Sequence, residues 1–183
     1  MGDTSSTSDN GNDTLHGGDG NDSLAGAGSS NDQLFGDNGN DQLLFGDHGV
    51  NYDGGDGHDA LKVTGNEDFT RFNENVSNTE ILDMRSGAND TVTINAADVL
   101  DFGGSTGESF YGNAIDLVVR GDSGDTLNLN NDGAGHSFTQ VATGVTLSDA
   151  AAYGSGTHNI YSDGNGNVVA VDSTIAAANV HAN

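Results

Sequence analysis

The 183-residue chain contains no cysteine, no proline and no tryptophan, and only four lysine and arginine residues. Each absence excludes something. Without cysteine there are no disulfides, no thiolate nucleophile and no thiolate-ligated zinc. With so few cations the chain cannot neutralise nucleic-acid phosphates, so DNA and RNA are excluded as partners. An anionic membrane surface repels it for the same reason. No apolar run approaches the roughly 20 residues of a transmembrane helix, so membrane insertion is not expected. What is abundant is acid and glycine: 28 Asp and Glu, a formal net charge of -24, and 29 Gly. At 33% hydrophobic residues, a bare chain of this charge sits near the disordered class, and self-repulsion opposes compaction. Either the chain is disordered or a cation holds it together.

The placement of the acids separates these. Aspartates recur at Asp13, Asp22, Asp32, Asp41 and Asp59, with gaps of 9, 10, 9 and 18. Two residues after each stands a leucine: Leu15, Leu24, Leu34, Leu43 and Leu61. Before each lies a Gly-rich stretch. Two units, Gly17-Gly18-Asp19-Gly20-Asn21-Asp22-Ser23-Leu24-Ala25 and Gly54-Gly55-Asp56-Gly57-His58-Asp59-Ala60-Leu61-Lys62, fit the pattern G-G-x-G-x-D-x-U-x at every specified position, U being a large apolar residue. Six Gly-rich residues form a turn with positive φ and close chain approach. The three that follow are extended, with the leucine inward. Turn plus short strand, repeated, gives a parallel solenoid that stacks like turns, and with them the aspartates. A column of carboxylates at strand spacing needs a cation between its members. Oxygen-only ligands in a Gly-flexible cage suit Ca²⁺ better than strictly octahedral Mg²⁺.

On these residues, 8–62 resembles six RTX (repeats-in-toxin) calcium-binding nonapeptides. The resemblance implies a parallel β-roll, two nonapeptides to a coil, with Ca²⁺ in the turns between successive coils and roughly three to five ions in all. It assigns as carboxylate ligands the sixth-position Asp13, Asp22, Asp32, Asp41 and Asp59. The third-position Asp19 and Asp56, with turn carbonyls of Gly17, Gly18, Gly20, Gly54, Gly55 and Gly57, complete the shells. Less regular units add candidates: Asp9, Asn10 and Gly11 in the first, Gly28 in the third, Asp37, Asn38 and Gly39 in the fourth, Asp47 and Asn51 in the fifth. The third unit carries an extra turn residue, and the fourth an extra strand residue. The fifth, Gly46–Asp53, is one residue short and offers Asn51 where the ligand aspartate belongs. A weaker or missing ion is expected there.

From Val63 the period is lost while strand patterns continue, as in Thr91–Ile94, Leu117–Arg120, Thr126–Leu129 and Val168–Val171. Asp163–Asn167 reads as a hairpin loop. Asn95 caps a short helical turn over 96–100, and 147–152 is a second helical candidate. Solenoid ends expose apolar surface and unpaired edges. Residues 63–183 therefore read as a β-rich capping module, with Phe69, Phe72, Ile81, Leu82, Val92, Ile94, Leu117, Val119, Leu127 and Leu129 as its core, while residues 1–7 form a disordered, tag-like N-terminus. The overall class is all-β: a parallel β-roll followed by a cap. Asp90 and Asp125 open strands after Asn-Asp and Gly-Asp turns, as further calcium candidates or as turn aspartates bonding their own backbone.

The 63–183 stretch also resembles the segment that follows RTX repeats in large bacterial adhesins exported by type I secretion. The resemblance rests on Asn78–Met84, Asn89–Asn95 with Asp98–Leu100, Leu117–Asp125, and Tyr161 with Val169–Asp172. It implies a secreted, monomeric, non-catalytic module at the bacterial surface, exported without an N-terminal signal peptide, with Ca²⁺ and the secretion machinery as partners. A surface glycan recognised by 63–183 is the alternative, and a non-catalytic tail of a secreted hydrolase or epimerase a third. The six histidines have no i,i+2 or i,i+4 pair. No G-x-S-x-G turn frames a nucleophile.

Overall fold

The computed structural model describes residues 11–26, 31–46, 49–71, 75–103, 106–154 and 156–182. Asp9, Asn10, Gly28, Asp47 and Phe72 lie outside the described residues. Each nonapeptide that falls within them gives a turn and a strand: β1 (Thr14–Asp19), β2 (Ser23–Ala25), β3 (Gln33–Asn38), β4 (Gln42–Leu44), β5 (Asn51–Asp53) and β6 (Ala60–Lys62). The strands pair in parallel, and the inward residue sets the register, because a slip of one residue would turn every leucine outward. Leu15, Leu34 and Tyr52 stack on one side, and Leu24, Leu43 and Leu61 on the other. All six are buried.

Past Val63 the nonapeptide spacing stops, but the ladder does not. The chain continues through β7 (Asn66–Asp68), β8 (Asn75–Ser77), β9 (Ile81–Asp83), β10 (Thr91–Asn95), α1 (Ala96–Phe102), β11 (Ser109–Phe110), β12 (Asn113–Ala114), β13 (Leu117–Arg120), β14 (Thr126–Asn130), β15 (Thr139–Val145), α2 (Ala150–Tyr153), β16 (His158–Ser162), β17 (Val168–Asp172) and β18 (Val180–Ala182). β8 extends the β1-β3-β5 sheet, and β9, β13 and β17 extend β2-β4-β6 in parallel. β15 and β16 complete this eight-stranded sheet in antiparallel pairing, while β7, β10, β14 and β18 form a third, parallel sheet. The rungs Leu24, Leu43, Leu61, Leu82, Val119 and Val171 are 19, 18, 21, 37 and 52 residues apart. Lengthening excursions hide the period while the inward residue keeps the register. The sheet and the inner core, which runs from Leu15 to the partly buried Ala182, therefore both cross residue 62.

The local signals after residue 63 are visible in the fold. Asn95 Oδ1 accepts from the Ala97 and Asp98 amides, and Asp98 Oδ2 accepts from the Asn95 amide, a reciprocal capping box. α1 ends at Gly103 in the left-handed region (φ 60°). The 163–167 loop joins antiparallel β16 and β17. Part of the outer face of the eight-stranded sheet is covered by Leu147, Ala152 and Tyr153, which cluster with Ala60, Ile81, Val118, Ala170 and Ile160. No helix among the described residues is long and apolar enough to cross a membrane.

Candidate metal centre

The turns between the β1 and β2 sheets stack as 17–22, 36–41 and 54–59. Their second and fourth positions need the left-handed region: Gly18 (φ 91°), Asp37 (φ 69°) and Gly55 (φ 98°), then Gly20 (φ 118°), Gly39 (φ 142°) and Gly57 (φ 148°). Asp37 stands where the perfect units have glycine, and aspartate tolerates that conformation better than most residues.

The sixth-position aspartates form a ladder. The Asp22 amide donates to Asp41 Oδ1 at 2.7 Å, and the Asp41 amide to Asp59 Oδ1 at 2.7 Å. The Asp59 amide donates to Glu80 Oε2 at 2.8 Å. On the opposite side the Asp13 amide donates to Asp32 Oδ1 at 3.0 Å. Each oxygen engaged in this way serves the preceding coil. Oδ2 of Asp32, Asp41 and Asp59 and both oxygens of Asp22 are buried without a hydrogen-bond partner. These four residues are at most 5% exposed. An orphaned buried carboxylate oxygen costs free energy unless a cation or proton meets it.

Backbone carbonyls converge on the same places. A methyl built on Gly17 would lie 2.7 Å from Gly36 O and 3.0 Å from Asp22 Oδ2. On Gly36 it would lie 2.3 Å from Gly54 O and 2.5 Å from Asp41 Oδ2, and on Gly54 it would lie 2.0 Å from Asn78 O and 2.7 Å from Asp59 Oδ2. One hollow therefore repeats three times, lined by a first-position glycine, a carbonyl from the next coil and an unpartnered carboxylate oxygen. Among the described residues no group of three or more His, Cys, Asp or Glu side chains forms a metal-binding cluster. The donor set is carboxylate plus carbonyl, which is that of a hard, oxygen-seeking cation.

Electrostatics in the column are unfavourable for carboxylates alone. Burial, reinforced by Glu80, Asp41 and Asp53, pushes Asp59 up to about 7, against the lowering effect of the Asp41 amide. Burial also raises Asp41, with Asp22 and Asp37 adding to it. A cation in the column reverses both effects.

The remaining candidates divide by position. Asp19 and Asp56 are exposed and line the outer rim of the turns with Asp37, Asn38 and Asp53. Asp19 Oδ1 accepts from Asn38 Nδ2 at 2.9 Å, and Asp37 meets His16 Nδ1 at 3.0 Å. In the fifth unit the register differs from the expectation. Asn51 pairs with Gln33, so buried Val50, not Asn51, stands in line with Asp32. Tyr52 is the inward residue there, and the sixth position falls two before it. Asp90 and Asp125 have donors on both oxygens: Gly65 N and Ser86 Oγ for Asp90, and Asp90 N and Asp122 N for Asp125. In each, Oδ1 accepts an amide from another coil, as in the column, and Oδ2 accepts a donor from its own turn.

Glu80 and the carbonyls of Gly36 and Asn78 join the column without having been singled out in the sequence. The signal for Glu80 was present, since Glu80-Ile81-Leu82 repeats the acid-x-leucine spacing. The Gly36 signal was its place at the head of the fourth turn. Nothing local marks Asn78.

The family model of the RTX calcium-binding nonapeptide repeat (4 copies) matches residues 7–43. RTX nonapeptide repeats bind calcium. No curated protein and no solved structure matches the chain. The same column geometry continues through the turn at 54–59 and on to Glu80, beyond the matched residues.

Proposed function

We propose that this chain is a calcium-dependent folding module of a type I-secreted bacterial adhesin, with 8–62 as the calcium-holding part and 63–183 as the β-rich scaffold on which it stacks. The observation that carries this reading is the set of buried, unpartnered carboxylate oxygens at Asp22, Asp32, Asp41 and Asp59. Bound Ca²⁺ supplies the positive charge those oxygens lack, and its binding free energy becomes folding free energy. Asp22 with Gly36 O, Asp41 with Gly54 O, and Asp59 with Asn78 O would hold it, and Asp32 on the opposite side adds a fourth position. This supports a count within three to five ions. The role is structural and non-catalytic.

The residues explain the switch without further machinery. Residues 1–62 hold 12 aspartates and a single lysine, so at very low free calcium the chain repels itself and stays extended, a state suited to threading a secretion channel. At roughly millimolar extracellular calcium, sites with dissociation constants of ~10⁻⁴–10⁻³ M fill and the coils close. Circular dichroism with and without chelator tests this. The β spectrum is expected to appear only with calcium, and an unchanged spectrum in EGTA would sink the idea.

A further inference from the structure

The ends of the sheets differ in how they are guarded. A strand at a sheet edge presents unpaired N–H and C=O groups to other chains, and proteins blunt such edges by keeping them short or charged. Among the described residues the edge strands β2, β8 and β18 are three residues long, and the hairpin strands β11 and β12 are two. β7 is also short and carries Glu67 and Asp68, and the six-residue β1 carries Asp19. β15 is neither short nor charged. It ends the eight-stranded sheet with β16 as its strand partner, and it runs for seven residues, Thr139-Gln140-Val141-Ala142-Thr143-Gly144-Val145.

The charge-free span reaches from Ser137 to Ser148 in a chain of net charge -24. Both of its ends are anchored. Phe138 is 1% exposed and Leu147 4%, and Ala142 and Val145 pack against the outer apolar cluster. The other residues of the strand are exposed. Val141, at 51%, is one of three large apolar side chains left in solvent among the described residues.

We propose that β15 pairs antiparallel with β15 of a second copy about a two-fold axis, which joins two eight-stranded sheets into one. Three observations favour a second copy over a foreign strand. A two-fold axis sets the same segment against itself, so an uncharged edge meets an uncharged edge. Two bodies of charge -24 repel each other, and at 137–148 they approach without setting carboxylate against carboxylate. β15 also shifts register against β16 between Gln140 and Ala142 and between Ala142 and Val145, with Gly144 in the left-handed region (φ 67°). Such bulges bend an edge away from a regular strand, whereas a symmetry-related copy carries the same bend and matches it. The chain is then a dimer where its sequence leads to the expectation of a monomer. The calcium column enters only in that the chain must be folded.

The test is sedimentation equilibrium of the full chain in saturating calcium, with circular dichroism in the same buffer to show that it is folded. A reversible dimer is expected with a dissociation constant on the order of 10–100 µM, since one strand pair makes an interface below the roughly 1,600 Å² of a standard complex. Because the copies repel, the dimer is expected to tighten several-fold as salt rises from about 0.02 to about 0.15 M. V141D is expected to weaken it more than about tenfold by placing a carboxylate in the pairing edge of each copy. L100D adds the same charge at an exposed position of α1, and it is expected to stay within about twofold of the parent. Single cysteines placed in turn along 139–145 of this cysteine-free chain are expected to give disulfide-linked dimers in calcium, most at the residue nearest the axis, and L100C none. A monomer up to about 1 mM, a V141D dimer as tight as the parent's, a dimer that weakens with salt, or cross-linking no stronger than that of L100C would overturn the assignment. So would a monomer whose β15 amide resonances move only when an extended peptide of another sequence is added, which gives the edge to a different protein.

Discussion

Replacing Asp59 by asparagine separates the charge of the column from its shape. Asp59 is fully buried, its Oδ1 accepts the Asp41 amide at 2.7 Å, and its Oδ2 has no partner. Asparagine keeps the acceptor, and its amide nitrogen comes beside the Asn78 carbonyl that borders the same hollow. In the metal-free fold Asp59 is raised from 3.8 to about 7, and at 1.36 kcal/mol per pH unit this corresponds to roughly 4 kcal/mol. The sign follows from proton counts. Below 3.8 both states are protonated and there is no penalty. Between 3.8 and 7 the unfolded chain ionises while the fold keeps its proton, so metal-free stability falls as pH rises. Above 7 the penalty is complete. In metal-free buffer D59N is therefore expected to exceed the parent protein in stability by up to about 4 kcal/mol near pH 8 and to match it near pH 4. With calcium the order reverses, because the parent carboxylate gains a partner and the amide does not. The parent's calcium affinity is expected to weaken as pH drops below about 7, where Asp59 must lose a proton to bind. With calcium, urea denaturation followed by circular dichroism compares the two proteins; without it, where the chain is unfolded, the comparison is the concentration of a stabilising osmolyte needed to bring up the β spectrum. The reasoning is refuted if metal-free D59N is no more stable than the parent near pH 8, or if both show the same pH slope.

Three further outcomes follow from the same geometry. Gly36→Ala places a methyl 2.3 Å from Gly54 O and 2.5 Å from Asp41 Oδ2; it is expected to cost about 1–3 kcal/mol and to lower the bound calcium by one ion, counted by isothermal titration calorimetry. Val50→Asp puts a carboxylate in line with Asp32; it is expected to destabilise the metal-free protein and to raise the calcium count by one, and an unchanged count would show that the register at β5 does not govern ligation. A fragment ending at residue 62 loses the β9 and β8 pairing partners of β6 and β5; it is expected to remain unfolded in millimolar calcium by circular dichroism, whereas the full chain folds.

The reading from sequence was good where a physical constraint acts between near neighbours. A glycine at a positive-φ turn position, an aspartate ending the turn and a leucine two residues on are all local, and the β-roll follows from repeating them. Asn95 with Asp98 reads as a helix cap for the same reason. The reading weakened where loop length entered. Between Leu82 and Val119, and again between Val119 and Val171, the inserted residues remove every trace of a period. The strands nevertheless return to the same sheet, because burying the next inward residue stabilises the rung whatever the length of the excursion.

The sequence by itself therefore determined the donor chemistry: a cysteine-free, base-poor chain with aspartates in phase offers stacked carboxylate and carbonyl oxygens, the ligands of a hard cation. Only the tertiary structure decided which oxygens are left for it. Asp90 and Asp125 match the repeat in letters, yet one donor from another coil and one from their own turn occupy their two oxygens. Asp22, Asp41 and Asp59 keep Oδ2 buried and unpartnered, beside a carbonyl from the next coil. The difference lies in the second oxygen: Ser86 Oγ and the Asp122 amide meet it in Asp90 and Asp125, whereas the fold brings no donor to it in Asp22, Asp41 and Asp59.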